Sequence, residues 1–473
     1  MKHSYARFVT PLVVLLCFGS MNLQSTTAQP EGVGEWSSVI KLPLRGIHAI
    51  LLPTGNVMLF TVGPEQPQPF LFAPLNSALQ SIDRPGYEIF CSSHNLLADG
   101  KLLIIGGRDK VNTAGLPNIT LYDPFNNTFT RQKNMNLGRW YPSSIQLGDN
   151  RVLIIAGTYL DAESQKVLHN RLPQVYYKGN LKTLTGAKGT VSLYPRLALM
   201  ADGRVFIAGP SQYSKYLDPN GRGQLITGPT RTFTSRDAGA LCQYEDGKLL
   251  YMGGGDPPTD TAEVIDLNQP DPQWRQLSSR MIAPRRHLNS TLLPDGKVLI
   301  TGGVSGAGFN NTTTPVLTAE VWDPATEEFT PLSDMATGRW YHSTTLMLPD
   351  GRLLCSGGED SLNAEIYSPP YLFQGRRPYI SGFPSVLYYG KSYEARFTSI
   401  NNIVAMNLIK LSSVTHSVNF DQRIVRLSFS RSGRTLQFTL PTNPNLCPPG
   451  YYMLFVIDKS GRPSVGKIVR VRA

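Results

Sequence analysis

LLPDGKVLITGG, residues 292–303, sets a pattern that the chain repeats: an apolar pair, an Asp-Gly turn, an apolar strand and a closing pair of glycines. An Asp-Gly step between apolar runs is the mark of a tight β-hairpin. Six more copies are LLPTGNVMLFTVG (51–63), LLADGKLLIIGG (96–107), QLGDNRVLIIAG (146–157), LMADGRVFIAG (199–209), QYEDGKLLYMGGG (243–255) and MLPDGRLLCSGG (347–358). Short strands that pair an aromatic with a polar turn, such as LYDP, YLDP, VWDP and IYSP, end the following pieces and complete four-stranded units.

Four-stranded units recurring every ~45 to 55 residues, with glycines closing the second strand, are the signature of propeller blades of the kelch type. The chain is therefore predicted to be all-β, with a seven-bladed kelch-type β-propeller over residues 36–372. After Gln374-Gly-Arg-Arg-Pro the repeat stops, and strands such as SYEARFTS, TLQFTL and YYMLFVID alternate with period two. Residues 377–473 read as an immunoglobulin-like β-sandwich.

Composition agrees with this class. The 473 residues include 43 Gly and 36 Pro, with only 17% charged. Lys2 and Arg7 precede an apolar run from Phe8 to Met21 and small residues up to Ala28, so residues 1–28 read as an export signal. The apolar run is too short to span a bilayer comfortably, and the expected destination is extracellular or the cell wall. Without that segment the formal charge falls from +11 to +9, spread along the chain rather than gathered in a stripe. Nucleic-acid binding is therefore not expected. Sequons at Asn118, Asn126, Asn289, Asn310 and Asn311 fit a glycoprotein. Cys17 leaves with the signal; Cys91, Cys242, Cys355 and Cys447 remain, too few and too dispersed for a disulfide framework, and no CxxC pair suggests zinc. Cys242 and Cys355 are expected in blade strands as small apolar residues, and Cys447 is either free or paired.

The innermost strand of every blade runs along the central channel, so equal offsets before the turns trace a ring. Nine residues before each turn glycine, or its stand-in Asn150, stand Gly46, Cys91, Tyr141, Tyr194, Ala238, His287 and His342, with Tyr341 adjacent to the last. Gly-Arg-Trp-Tyr occurs at both 138–141 and 338–341. Taken singly, each tyrosine fits blade architecture, and His342 fits a hydrogen-bonded structural histidine. Together with His416, at the tip of a hairpin able to reach into the channel, they form a set of two phenols and two imidazoles that suits copper(II).

The FCSS segment at Cys91, GRWYPSS at Tyr141, GRWYHSTTLMLPDGRLLCSGG at Tyr341 and His342, and THSVNFDQRIVRLSF followed by CPPGYYMLFVIDKSGRPSVGKIVRV resemble the copper-radical oxidases, the galactose oxidase and glyoxal oxidase family. The resemblance implies one copper ion and a thioether between Cys91 and Tyr141 that makes a protein-derived radical cofactor. It implies His342 and His416 as equatorial ligands beside Tyr141, with Tyr341 axial and acting as the base. It further implies two-electron oxidation of a small aldehyde or primary alcohol, with O2 reduced to peroxide that a peroxidase partner could use. Glyoxal-oxidase-like use of small aldehydes is preferred, because no carbohydrate-binding domain fits before Glu35. The tryptophan that galactose oxidases place over the thioether falls, by count, on Tyr159, the stacking candidate. Tyr194, Arg196, Arg236 and His287 are candidate substrate-pocket residues, although the arginines could equally pair with blade acids. A monomer is expected. A non-catalytic kelch scaffold and a zinc enzyme are the competing readings; the first has no use for the Cys-Tyr-His set, and no HExxH motif supports the second.

Overall fold

The computed structural model describes residue 1 and residues 29–61, 68–110 and 113–472; the predicted export segment lies almost wholly outside them. The described residues are nearly all β-structure, with one short α-helix at Pro30–Val33. None of their helices is long and apolar enough to cross a membrane.

Seven sheets follow in chain order from residue 35 to residue 368 and form a propeller, each built on four antiparallel strands. The innermost strands are His48–Leu51, Ser93–Leu96, Trp140–Gln146, Arg196–Leu199, Ala240–Glu245, Asn289–Leu292 and Ser343–Met347. Neighbouring members of this series abut around the channel, except the first and second, which both contact the strand Ser413–Thr415. His48–Leu51, Ser93–Leu96 and Asn289–Leu292 are buried throughout, whereas an outermost strand such as Thr128–Arg131 is mostly exposed. Among the described residues, glycines that close a second strand are needed for close approach. A Cβ on Gly106 (φ 79°) would lie 2.2 Å from the Arg139 carbonyl of the next blade.

The last sheet is closed by both ends of the series. Leu353–Gly357 pairs with Asn363–Ser368, and Asn363–Ser368 in turn receives Glu35–Trp36 and Ile40–Lys41 from the start of the chain.

Buried arginines brace the loops that enter three blades. Arg236, Arg285 and Arg339 pair with Glu263, Glu320 and Glu365 on the third strands of their own sheets, and all six side chains are at most 2% exposed. The expectation that Arg236 lines a substrate pocket is corrected here: it is 3.1 Å from Glu263 and also donates to the Thr261 carbonyl at 2.8 Å. Cys91, Cys242, Cys355 and Cys447 are free and buried. Asn289 corrects another expectation. Its side chain is 2% exposed inside a strand and donates to Ser343 Oγ, so no glycan can attach in this fold.

From Tyr379 onward two further sheets form the sandwich, one led by Ser392–Thr398 with Thr435–Thr439, the other by Ile403–Lys410 with Gly450–Asp458. One excursion leaves it: the hairpin Ser413–Thr415 with Val418–Asn419 enters the channel and pairs with His48–Leu51. Asp421 pins its base, accepting from the Gln146 amide at 2.8 Å and Asn95 Nδ2 at 2.7 Å.

Candidate metal centre

The ring counted from the sequence is a backbone feature. Cys91, Tyr141, Tyr194, Ala238, His287 and His342 all adopt positive φ, between 42° and 71°. A residue with a Cβ costs roughly 1 kcal/mol in this region, so the surroundings must hold it there. Part of that hold is mutual: Tyr141 N–H donates to the Cys91 carbonyl, Tyr194 N–H to Tyr141 and His287 N–H to Ala238. The turn swings these side chains toward one end of the channel.

The hairpin tip supplies the remaining group. His416 (φ 49°) and Ser417 (φ 63°) are the two central residues between the paired Thr415 and Val418, which is the type I′ arrangement that suits twisted hairpins. His416 thereby sits among the ring residues, with its imidazole 4.6 Å from that of His342, 4.8 Å from the Tyr194 ring and 5.3 Å from both Tyr141 and Tyr341, measured between centroids.

Tyr141 Oη and Tyr341 Oη are 2.9 Å apart. The ligand atoms of Cys91, His342 and His416 lie within 4.8 Å of one another, and all three residues are buried. Each imidazole is oriented from behind. His342 Nδ1 is 2.6 Å from Glu359 Oε2 as an ion-pair contact, and its buried Nε2 has no hydrogen-bond partner. His416 Nδ1 is 2.6 Å from Thr415 Oγ1; because that hydroxyl donates to the Ile47 carbonyl, it accepts from the ring. Nε2 of His416 then carries the lone pair, on the side of the Cys91 sulfur 3.4 Å away.

Burial sets the protonation states. It pushes both imidazoles below their ordinary value, with the neighbouring histidines adding to the effect at His416 and Glu359 opposing it at His342. Burial likewise pushes the Tyr141 and Tyr341 phenols and the Cys91 thiol upward, and the Cys91 thiol and Tyr341 phenol add to the rise at Tyr141. Neutral imidazoles with free nitrogens beside phenols that resist ionisation are the donors a cation would convert into ligands. The set fits copper(II), which favours imidazole and oxygen donors.

A cavity of about 260 Å³ opens on this cluster, lined by Tyr141, Tyr194, Arg196, Asp237, His287 and Tyr341 among others. Tyr194, Arg196 and His287 line this cavity, but Arg196 is only 4% exposed and spends its donors on the Gly239 and Tyr194 carbonyls. His287 Nε2 is 2.6 Å from the Phe309 carbonyl. Asp237 and Phe309 were missed by sequence reasoning because they stand one residue off the ring and in an irregular loop.

The expected stacking residue is also corrected. Tyr159 makes no ring contact with Tyr141. The ring that covers Tyr141 is Trp140, 4.6 Å away and inclined by 38°.

Comparisons with known proteins extend over most of the chain. A model of the galactose oxidase-like Early set domain matches residues 377–471, and a model of the glyoxal oxidase N-terminus matches residues 252–371. A galactose oxidase of Gibberella zeae is 28% identical across 94% of this chain and 72% of its own length. An aldehyde oxidase GLOX of Vitis pseudoreticulata is 26% identical across 81% of this chain and 82% of its own. Among solved structures, a fungal alcohol oxidase described as catalytically diverse within the AA5 family, in complex with copper, superposes with a TM-score of 0.84 at 25% identity, covering 93% of this chain and 100% of that one.

Proposed function

From a chain that is a homologue of galactose oxidase and the glyoxal oxidases, and so a copper-radical oxidase, we propose an exported enzyme that oxidises small aldehydes to carboxylic acids and reduces O2 to H2O2. The observation that carries this reading is the meeting of Tyr141 Oη and Tyr341 Oη at 2.9 Å beside His342, His416 and Cys91. A Gibberella galactose oxidase and an alcohol oxidase structure favour a second reading, in which a primary alcohol becomes an aldehyde at the same site. The small cavity and the glyoxal oxidase match over residues 252–371 favour the aldehyde.

His342 and His416, through Nε2, and Tyr141 and Tyr341, through Oη, are the residues that would hold copper. Bound copper supplies a one-electron acceptor and a Lewis acid that makes a substrate hydroxyl more acidic. Glu359 and Thr415 fix the imidazole tautomers from behind. Tyr341 takes the hydroxyl proton, and the oxidised Tyr141 takes a hydrogen atom from the substrate carbon. The aldehyde enters as its hydrate, so RCH(OH)2 and O2 give RCO2H and H2O2. Cys91 reaches its working form by losing S–H as Tyr141 loses one ring hydrogen; a carbon–sulfur bond forms, and O2 takes the two electrons and two protons as H2O2.

Peptide mass spectrometry of protein matured with copper in air is the test. A Cys91–Tyr141 peptide pair two hydrogens lighter than its parts, with peroxide release on methylglyoxal, supports the reading; separate peptides despite bound copper overturn it. Greater turnover of primary alcohols than of aldehydes would select the second reading.

A further inference from the structure

Behind Cys91, three buried side chains form a continuous hydrogen-bonded line that no step above uses. Cys91 N–H donates to His48 Nε2 at 3.2 Å, His48 Nδ1 meets His94 Nε2 at 3.0 Å, and His94 Nδ1 meets Ser413 Oγ at 2.5 Å. Ser413 Oγ closes the line by donating to the His94 carbonyl at 2.9 Å. His48 and His94 have no exposure, and Ser413 has 2%.

The direction of every bond is forced. A backbone amide can only donate, so His48 Nε2 accepts, and a neutral ring then has its one proton on Nδ1. That proton goes to His94 Nε2, the His94 proton sits on Nδ1 and goes to Ser413 Oγ, and the hydroxyl proton remains for the His94 carbonyl. Burial holds both rings neutral. Phe60 stacks flat on His48 at 4.2 Å and Phe420 meets His94 edge-on, so the two rings are also clamped sideways.

The line spans three pieces of the fold: His48 from the first inner strand, His94 from the second, and Ser413 from the hairpin that carries His416. Its near end grips a residue at φ 55°, a region a cysteine leaves readily unless held. Rotation about that bond decides where the thiol points.

We propose that His48 is a positioning residue for the Cys91–Tyr141 crosslink: it holds the Cys91 amide so that the sulfur faces the Tyr141 ring, and through His94 and Ser413 it ties that hold to the seated hairpin. This rests on the crosslink read above. His48 makes no hydrogen bond to the four copper-holding atoms, its ring meeting the His416 imidazole only edge-on at 5.9 Å between centroids; its hydrogen bond goes to the Cys91 backbone, and it acts through that.

The experiment follows the rate at which the two-hydrogen mass loss appears after copper is added in air to the full chain. His48→Phe keeps the ring on Phe60 but removes the acceptor, and is expected to slow crosslinking about tenfold, the weight of one buried hydrogen bond. His48→Gln, which keeps an acceptor near the same place, is expected to restore most of the rate, a rescue that a merely space-filling role would not give. His48→Phe maturing at the wild-type rate, or His48→Gln no faster than His48→Phe, overturns the proposal. Where His48→Phe does not fold, Ser413→Ala decides: slower crosslinking supports the line, and an unchanged rate overturns it. A wild type that never crosslinks removes the radical-oxidase reading and this proposal together, whereas a crosslinked wild type beside an equally fast variant removes only this one.

Discussion

Trp140 and Tyr141 are neighbours in sequence, yet in strands successive side chains point to opposite faces. They share a face here because Tyr141 lies at φ 61°, which breaks the alternation at the strand entry. That local turn let the covering ring come from the residue before the tyrosine, while counting along the chain pointed to Tyr159. An offset ring pair contributes about 1 kcal/mol. Trp140→Ala is therefore expected to shorten the life of the oxidised Tyr141 roughly fivefold, read as faster bleaching of its absorbance, with crosslinking retained. Cys91, His342 and Tyr341 were legible because the offset to the turn is constant from blade to blade. Asp237 and Phe309 carry no such register, and only the folded loops bring them to the pocket.

The blades were legible as elements for a reason specific to their chemistry: an Asp-Gly turn and closing glycines are needed in every copy, so they recur at fixed offsets. The arginine braces were not. Arg339 and Glu365 are 26 residues apart, and Arg285 and Glu320 are 35 apart, separations set by loops of differing length. Each brace ties the entry loop to the third strand, and Arg339 stands two residues before Tyr341, so the brace anchors the segment that presents Tyr341 and His342. Removing one partner of a fully buried pair leaves an uncompensated charge, at a cost of about 3–5 kcal/mol. Glu365→Ala should lose about that much in urea unfolding, whereas an exposed pair such as Arg275 with Glu327 should contribute about 1 kcal/mol or less.

Across the whole molecule, the sandwich is locked to the propeller's interior rather than appended to it, because its hairpin pairs with the first inner strand and Lys410 and Asp421 are buried against Gln146. A sequence break near residue 377 is visible as lost periodicity, and a hairpin able to carry His416 into the channel was expected; the contacts that seat it, Asp421 with Gln146 and Ser413 with His94, were not, since their partners are hundreds of residues away. Acid should loosen this arrangement. Burial holds His94 to about 3 and His287 to about 4, against 6.5 for the free side chain. The unfolded chain takes up protons below pH 6.5 that the folded chain refuses until those lower values. Stability is thus full above pH 6.5 and falls toward pH 3, by up to about 1.4 kcal/mol per pH unit for each such group. Urea midpoints of the metal-free chain at pH 7, 5.5 and 4 check the sign, and His94→Phe should flatten the slope. The closure of the last sheet by Glu35–Trp36 has a temporal consequence. A chain emerging from its amino end holds that strand unpaired until Asn363–Ser368 has been made, and Cys91 waits for His416, 325 residues later. Contacts that distant form slowly. No nascent chain that ends before His416 can gather the five side chains, so order of synthesis acts as a safety catch: oxidising power arrives only when the last rung is in place.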